Sequence, residues 1–250
     1  MKKLFIIKVG TTFPAIAEQY GDFDTWTLAK LGSVDVDTCI LDVEHGASLP
    51  FATDCAGVIV TGSHSMVTDN LPWSTKLETW IPSLLETKIP FLGICYGHQL
   101  LARSMGGEVG VHSGGIEIGS VEIELMPEYT NDDLLQVLRQ RFYVYVAHSQ
   151  TVLRLPPGAT RLAANSFEHN QIFRLGGCAW GVQFHPEYDA RIMRSYIRAQ
   201  AEELESTGRN VSELIHTVKA TPEAVKILKN FASIVQQGEI ANTALHPRYT

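Results

Sequence analysis

The sequence lacks the long apolar runs and the basic clusters that mark several functional classes. No stretch approaches the roughly 18 consecutive apolar residues of a membrane span, which argues against a membrane protein. Lysine and arginine number 20 against 27 acidic residues, so the net charge is −7. Nucleic-acid-binding domains usually carry a basic face, and no run of five or more basic residues occurs here. Binding to nucleic acid or to a membrane is therefore not expected.

Cysteine is also scarce, and its spacing excludes two kinds of cross-link. The four cysteines are Cys39, Cys55, Cys95 and Cys178, with no C-x-x-C pair among them. In a chain of 250 residues this spacing predicts reduced thiols, and neither a disulfide framework nor a zinc site. Near the N-terminus, the apolar run after Lys3 stops within four residues at Lys8, which is too short for a secretory signal. We therefore expect a cytoplasmic protein.

The first half of the chain alternates short apolar runs with helical segments. Its length favours one generous domain, and a hydrophobic fraction of 45% is enough for a sizeable core. Predicted strands cover Lys3–Val9, Val34–Leu41, Gly57–Thr61 and Ile89–Ile94. Predicted helices cover Thr25–Leu31, Thr75–Glu86 (which Pro82 is expected to interrupt or end) and His98–Met105. This rhythm predicts an α/β fold with a parallel sheet covered on both faces.

The second half changes to closely spaced strands and ends in helices. Predicted strands cover Ile116–Leu125, Phe142–Ala147, Arg161–Ala164, Gln171–Leu175 and Ala179–Phe184. Short turns between them predict antiparallel strands added to a parallel centre, so the whole sheet is expected to be mixed. From Asp189 to about Gln237 the pattern is helical. In its last helix, Val225, Leu228, Phe231 and Val235 form an apolar stripe.

The sharpest local feature surrounds Cys95. The segment Gly93-Ile94-Cys95-Tyr96-Gly97-His98-Gln99 lies between a predicted buried strand and a predicted helix. Two glycines permit a tight strand-to-helix turn that exposes the side chain between them, and the helix N-terminus favours a thiolate there. The pattern predicts a nucleophilic cysteine. Taken alone, it is also compatible with a buried structural cysteine beside a glycine turn.

A cysteine nucleophile needs a base and a group that orients the base. The segment Gly181-Val182-Gln183-Phe184-His185-Pro186-Glu187 supplies both at the end of another predicted strand. Residues two apart on an extended chain point to the same side, so Glu187 can accept a hydrogen bond from His185. By itself a His-x-Glu is more often structural. Its partial similarity to a zinc-deaminase motif is rejected because no P-C-x-x-C follows, and we expect no metal.

Together, these two segments resemble the two signatures of class I (triad-type) glutamine amidotransferases, in the expected order. The resemblance spans residues 1–195 and implies a flavodoxin-like α/β sandwich around a mixed, mostly parallel sheet. It implies Cys95 as nucleophile, His185 as general base and acid, and Glu187 as the residue that orients His185. Residues 196–250 are then expected to form a helical extension packed on this domain.

Further site residues follow from the same resemblance. The backbone N–H groups of Gly62 and Tyr96 would form the oxyanion hole, although Gly62 also fits an ordinary strand-end turn. Gln99 would contact the substrate glutamine. His148, Ser149 and Gln150 fall in a segment that family members often write S-H-x-D-x-V. Here Ala147 replaces the serine and Gln150 replaces the aspartate, so an acidic partner for the substrate's α-ammonium is missing.

The expected reaction is hydrolysis of the glutamine side-chain amide through a cysteine thioester, with release of glutamate and ammonia and without a cofactor. No phosphate-binding G-x-x-x-x-G-K-[ST] motif is present, so a synthetase would have to be a partner subunit. The main alternative is a γ-glutamyl peptidase or hydrolase that acts on γ-glutamyl conjugates. A catalytically idle binding or regulatory protein is the alternative from another class, and the intact Cys95, His185 and Glu187 argue against it.

Overall fold

The computed structural model describes residues 2–245. Strands and helices alternate along most of this part of the chain. The strands are β1 (Lys3–Lys8), β2 (Thr38–Asp42), β3 (Cys55–Val60), β4 (Phe91–Ile94), β5 (Glu108–Val111), β6 (Glu117–Leu125), β7 (Arg141–His148), β8 (Gln150–Arg154), β9 (Ala159–Ala164), β10 (Ile172–Leu175) and β11 (Ala179–Val182). The α-helices are α1 (Pro14–Tyr20), α2 (Phe23–Leu31), α3 (Pro72–Glu86), α4 (Tyr96–Ser104), α5 (Ala190–Ala199), α6 (Ala201–Ser206), α7 (Val211–His216) and α8 (Pro222–Leu245).

Nine of these strands form one sheet in the order β2-β1-β3-β4-β11-β10-β9-β6-β7, and β5 pairs separately with β8. The five strands from β2 to β11 run parallel, and the remaining pairs are antiparallel. The prediction of an α/β fold around a mixed sheet with a parallel centre is confirmed. Because β4 and β11 are parallel neighbours, their carboxyl ends lie side by side, and the segments that follow them meet at one edge.

The sheet is covered on both faces because side chains alternate along its central strands. On β1, Leu4 and Ile6 share one apolar cluster with buried residues of α8. Phe5 and Ile7 lie in another cluster, together with residues of α3 and α4. The near-continuous apolar run of β1 is therefore explained by burial on both sides.

The last helix covers one of these faces. Leu228, Phe231 and Val235 are completely buried in the cluster that contains the sheet residues, whereas Val225 is only half-buried. The predicted stripe was therefore wrong at Val225, because the helix turns Ala224 and Ile227 to the sheet instead. A methyl group on Gly57 of β3 would collide with Val235, so this glycine permits the close approach of helix and sheet. The last five residues of the predicted extension lie outside the described residues.

Two predicted elements differ from the structure. β2 begins at Thr38 and not at Val34, because residues 34–37 form a loop from which Val34 and Val36 still pack against the core. Helix α3 continues through Pro82, which the sequence analysis expected to interrupt or end it. The proline ring removes one backbone donor there, but Ile81 and Leu84 on either side are fully buried and hold the helix in place. Within residues 2–245, no helix combines the length and apolar character needed to cross a bilayer.

Candidate active site

Cys95 occupies a sharp turn between β4 and α4. Its backbone has φ 48° and ψ −94°, a conformation that residues with side chains rarely adopt. The two flanking glycines make the turn possible: a methyl group on Gly93 would collide with the Gly97 carbonyl, and one on Gly97 would approach the Val60 carbonyl of β3. The turn places the thiol beside the first N–H groups of α4, which have no intrahelical acceptor.

The segment after β11 runs beside this turn. Val182 pairs with Ile94, and the Cys95 N–H donates to the Val182 carbonyl over 2.8 Å. The chain then carries His185 next to Cys95, where the imidazole is close enough to hydrogen-bond the sulfur. The Nδ1 atom of His185 lies 2.7 Å from Oε1 of Glu187. The three side chains that two distant segments contribute therefore meet at one point.

Burial and charge act in opposite directions on His185. Its ring is almost completely buried, which by itself would lower the pKa of the imidazole. The Glu187 carboxylate and the Cys95 sulfur outweigh that effect and raise the pKa of His185 to about 10. At neutral pH this residue is therefore an imidazolium, which can donate a proton.

Aromatic rings hold the imidazole in its orientation. Tyr188 stacks on His185 with ring centroids 4.1 Å apart, and Phe23 lies 5.9 Å away in a nearly parallel plane. Gly62 packs against the edge of the same ring, since a methyl group there would lie 2.8 Å from the His185 Cε1 atom. Phe23 and Tyr188 are both almost fully buried, so the imidazole has little room to turn.

Six of the nine predicted site residues line one cavity of about 250 Å³; they are Cys95, Tyr96, Gln99, His148, Ser149 and Gln150. His185, Glu187 and Gly62 are not among its lining residues, but Gly62 and Glu187 both contact the His185 ring. The predicted residues from four separate parts of the chain are thus brought together near the thiol. The cavity opens at the carboxyl edge of the parallel strands, where ligands of open α/β sheets usually bind.

Three of the four predicted substrate contacts, Gln99, His148 and Gln150, are already engaged within the protein. The His148 ring bridges Oε2 of Glu117 and the Gln150 carbonyl, each over 2.9 Å. The Gln150 side chain accepts from the Val67 N–H and donates to the Thr68 hydroxyl. Gln150 therefore fixes the loop that forms one wall of the cavity, a role that its sequence context did not indicate.

Gln183 is a site residue that the sequence analysis missed. Its side chain is completely buried, and its Nε2 atom lies 3.5 Å from the Cys95 sulfur. Its Oε1 atom accepts from Gln99, which also donates to the Gln150 carbonyl. Gln183 belongs to the quoted segment around His185, but nothing in the sequence assigns it a role. The parallel pairing of β4 and β11 is what turns it toward the sulfur.

The remaining histidines near the site differ in setting. His98 is completely buried, and burial lowers its pKa to about 3, so it remains neutral. The His64 Nε2 atom lies 3.1 Å from the Tyr196 hydroxyl at the cavity. Among the residues that the structure describes, no group of three or more His, Cys, Asp or Glu side chains is arranged to hold a metal ion.

Comparison with a family model places most of the chain in one group of proteins. Residues 15–203 match the model described as "Glutamine amidotransferase class-I". This match includes the turn at Cys95, the segment from Gly181 to Glu187 and helix α5. It ends before α7 and α8.

Two curated relatives and one solved structure illustrate the similarity. The chain is 36% identical to a GMP synthase [glutamine-hydrolyzing] from Aeropyrum pernix over 180 residues, which cover 70% of this chain but only 33% of the relative. It is 31% identical to γ-glutamyl peptidase 4 from Arabidopsis thaliana over 189 residues, which cover 70% of this chain and 72% of the relative. The crystal structure of a glutamine amidotransferase from Thermotoga maritima superposes with a TM-score of 0.68 at 25% identity, covering 95% of this chain and 98% of the other.

Proposed function

The chain belongs to the class-I glutamine amidotransferase family, and we propose that it hydrolyses the side-chain amide of glutamine or of a γ-glutamyl conjugate through a thioester on Cys95. One observation carries the proposal: Cys95, which lines the cavity, contacts His185, and His185 contacts Glu187, although 90 residues separate Cys95 from His185. Family membership supports amide hydrolysis, and this contact chain supports the individual roles.

In the first half-reaction, the Cys95 thiolate attacks the γ-carbonyl carbon and a C–S bond forms. The carbonyl π electrons move to the oxygen, which becomes an oxyanion. The intermediate collapses, the C–N bond breaks, and His185 gives its proton to the departing nitrogen. The products of this step are a γ-glutamyl thioester and a neutral amine, or ammonia if the substrate is glutamine.

In the second half-reaction, water replaces the amine. His185, now neutral, takes a proton from the water as the hydroxyl oxygen attacks the thioester carbon. The C–S bond then breaks, glutamate leaves, and the thiolate–imidazolium pair is restored. Glu187 keeps its hydrogen bond to Nδ1 throughout, so that Nε2 is the nitrogen that exchanges the proton.

The oxyanion needs preorganised donors, and two backbone positions are suited to that task. Tyr96 follows the nucleophile at the first position of α4, where its N–H is not used within the helix. Gly62 is the second residue after β3 and packs directly against the His185 ring. Donors aimed at a position where charge appears only in the transition state contribute about 3–4 kcal/mol each.

Glutamine and a γ-glutamyl conjugate share the same α-amino acid end. The replacement of the expected aspartate by Gln150 therefore weakens recognition of both, and the two substrates differ only on the leaving-group side of the scissile bond. The two relatives described above differ in this respect: the GMP synthase supports glutamine as the substrate, and the γ-glutamyl peptidase supports a γ-glutamyl conjugate. If glutamine is the substrate, a synthetase partner is expected to take up the ammonia.

Covalent labelling tests the proposal directly. A glutamine-derived chloroketone should add once to the wild-type protein, at Cys95, and a panel of glutamine, glutathione and γ-glutamyl amines should release glutamate. Cys95→Ser should lose both labelling and turnover, whereas Cys178→Ser serves as the matched control because that thiol lies outside the cavity. Unchanged glutamate release by Cys95→Ser would refute the thioester. A protein that takes no label and releases no glutamate would be an idle member of the family.

A further inference from the structure

One wall of the cavity is aromatic and continues directly from His185. Phe23, which stacks on His185, meets His64 edge-on at 6.1 Å. His64 contacts Phe13 with ring centroids 4.4 Å apart, and Tyr196 contacts both of them. We refer to Phe13, His64 and Tyr196 as the aromatic wall. All three line the same cavity as Cys95.

The position of His185 decides which end of the substrate meets the aromatic wall. The departing nitrogen must lie at His185, because His185 gives it the proton. Gln99, His148 and Gln150 occupy the side of the cavity that α4 and the β7–β8 turn supply. The aromatic wall belongs instead to the segment before α1, the loop after β3, and α5. A substituent on the departing nitrogen therefore extends along the aromatic wall.

The aromatic wall is uncharged at neutral pH. Partial burial lowers the pKa of His64, and the neighbouring His185 imidazolium lowers it further. Burial raises the pKa of the Tyr196 phenol far above neutrality. Tyr196 is held by hydrogen bonds to His64 and, over 2.6 Å, to Thr12. Within the described part of the chain, no Asp, Glu, Lys or Arg lines the cavity.

The leaving-group side of the cavity is lined by three rings and extends beyond the scissile bond. An apolar, ring-lined surface beside the scissile bond gains most from an apolar group that it can desolvate. It gives no counter-charge to a cationic amine, which would lose hydration on entering.

We propose that the aromatic wall is a leaving-group subsite and that the preferred substrates are γ-glutamyl amides of uncharged aromatic or apolar amines. This inference rests on the proposed function and adds the identity of the amine. Phe13 is the specificity-determining residue, since its ring is half-buried and faces the cavity from the position just before α1.

The test compares three γ-glutamyl amides of similar intrinsic reactivity: the phenethylamide, the n-butylamide and the 4-aminobutylamide. The phenethylamide should have a kcat/KM about tenfold above that of the butylamide, and the 4-aminobutylamide about tenfold below it. Phe13→Ala should bring the first ratio close to one. Phe51→Ala is the matched control, because Phe51 is 80% exposed and lies outside the cavity, and it should keep both ratios.

A gain-of-function variant distinguishes an altered leaving-group subsite from a general loss of structure or activity. Phe13→Asp puts a carboxylate in place of a cavity-lining ring and should raise the 4-aminobutylamide relative to the butylamide at least tenfold. Chloroketone labelling of each variant at Cys95 reports whether the catalytic centre is intact. Labelling with equal hydrolysis of all three amides, or with ratios that Phe13 variants do not change, would overturn the subsite and leave the proposed function standing. Absence of labelling in the wild type would overturn both.

Discussion

Replacing Glu187 by glutamine isolates the effect of one buried charge on His185. The side chains are nearly isosteric, and Glu187 is completely buried 2.7 Å from the imidazole. The pKa of His185 stands at about 10 against an ordinary value of 6.5, which is roughly 5 kcal/mol in favour of the imidazolium. Of the two charges that raise the pKa of His185, the Glu187 carboxylate has the larger effect. Its loss should therefore lower the pKa of His185 and weaken proton transfer, which contributes about 100- to 10,000-fold to kcat in general acid–base catalysis.

The variant should also change the pH dependence in a definite direction. Because the pKa of His185 is raised, the imidazolium of the wild type is present below pH 10 and is lost as the pH rises through that value. Without Glu187, burial is opposed by Cys95 alone, so the pKa falls and the alkaline limb of kcat moves toward neutral pH. The assay is glutamate release from pH 6 to 10.5 under saturating substrate.

Two controls make the result interpretable. Glu205→Gln removes an exposed carboxylate on α6 and should leave the profile unchanged. His185→Ala should lose more activity than Glu187→Gln, because it removes the proton carrier itself. An unmoved alkaline limb in Glu187→Gln would refute the orienting role, and a raised KM with unchanged kcat would place Glu187 in substrate binding.

The remaining predictions concern three other side chains. Gln183→Leu removes an amide N–H donor to the Cys95 sulfur and should slow chloroketone alkylation of Cys95 about 10- to 100-fold. Alkylation at the wild-type rate would exclude a contact between Gln183 and the sulfur. Gln150→Glu adds a carboxylate near the expected α-ammonium and should raise kcat/KM for glutamine about tenfold in a glutamate-release assay, whereas no gain would place that ammonium elsewhere. Phe231→Ala should lower the free energy of unfolding, measured in urea, by about 3–5 kcal/mol. Ile240 is 63% exposed, so the control variant Ile240→Ala should change that free energy by no more than about 0.5 kcal/mol. Equal effects of the two variants would show that α8 is not a packing element.

The sequence predicted the sheet better than it predicted the loops. Strand β1 is apolar along its whole length because both of its faces are buried, and such a run is unambiguous. Val34 and Val36 are equally apolar, but they pack on the core from a loop, and no periodic pattern distinguishes the two situations. Short elements such as α1 and β5 also escaped the sequence analysis, since four to seven residues carry too little periodicity.

For the candidate site, too, the sequence predicted some residues and missed others. Cys95, His185 and Glu187 could be predicted because the two segments that contain them, taken together, resemble the two signatures of the family. Gln183 and Phe13 could not, since their importance arises from the strand pairing and from the approach of α5, which are contacts between distant segments. The Gln150 amide was predicted at the cavity, but its bonds to the Val67–Thr68 loop depend on a neighbour 83 residues away.

The strained backbone at Cys95 lowers the stability of the folded protein at the position of the proposed nucleophile. A cysteine with φ 48° and ψ −94° holds about 1–3 kcal/mol of strain that a glycine at the same place would not. Against a total stability of 5–15 kcal/mol, that is a sizeable share held by one residue. Cys95→Gly should therefore raise the thermal stability, but it would remove the proposed nucleophile. Stabilisation has to come from elsewhere, for example from the α8–sheet contact at Gly57 and Val235, neither of which lines the cavity.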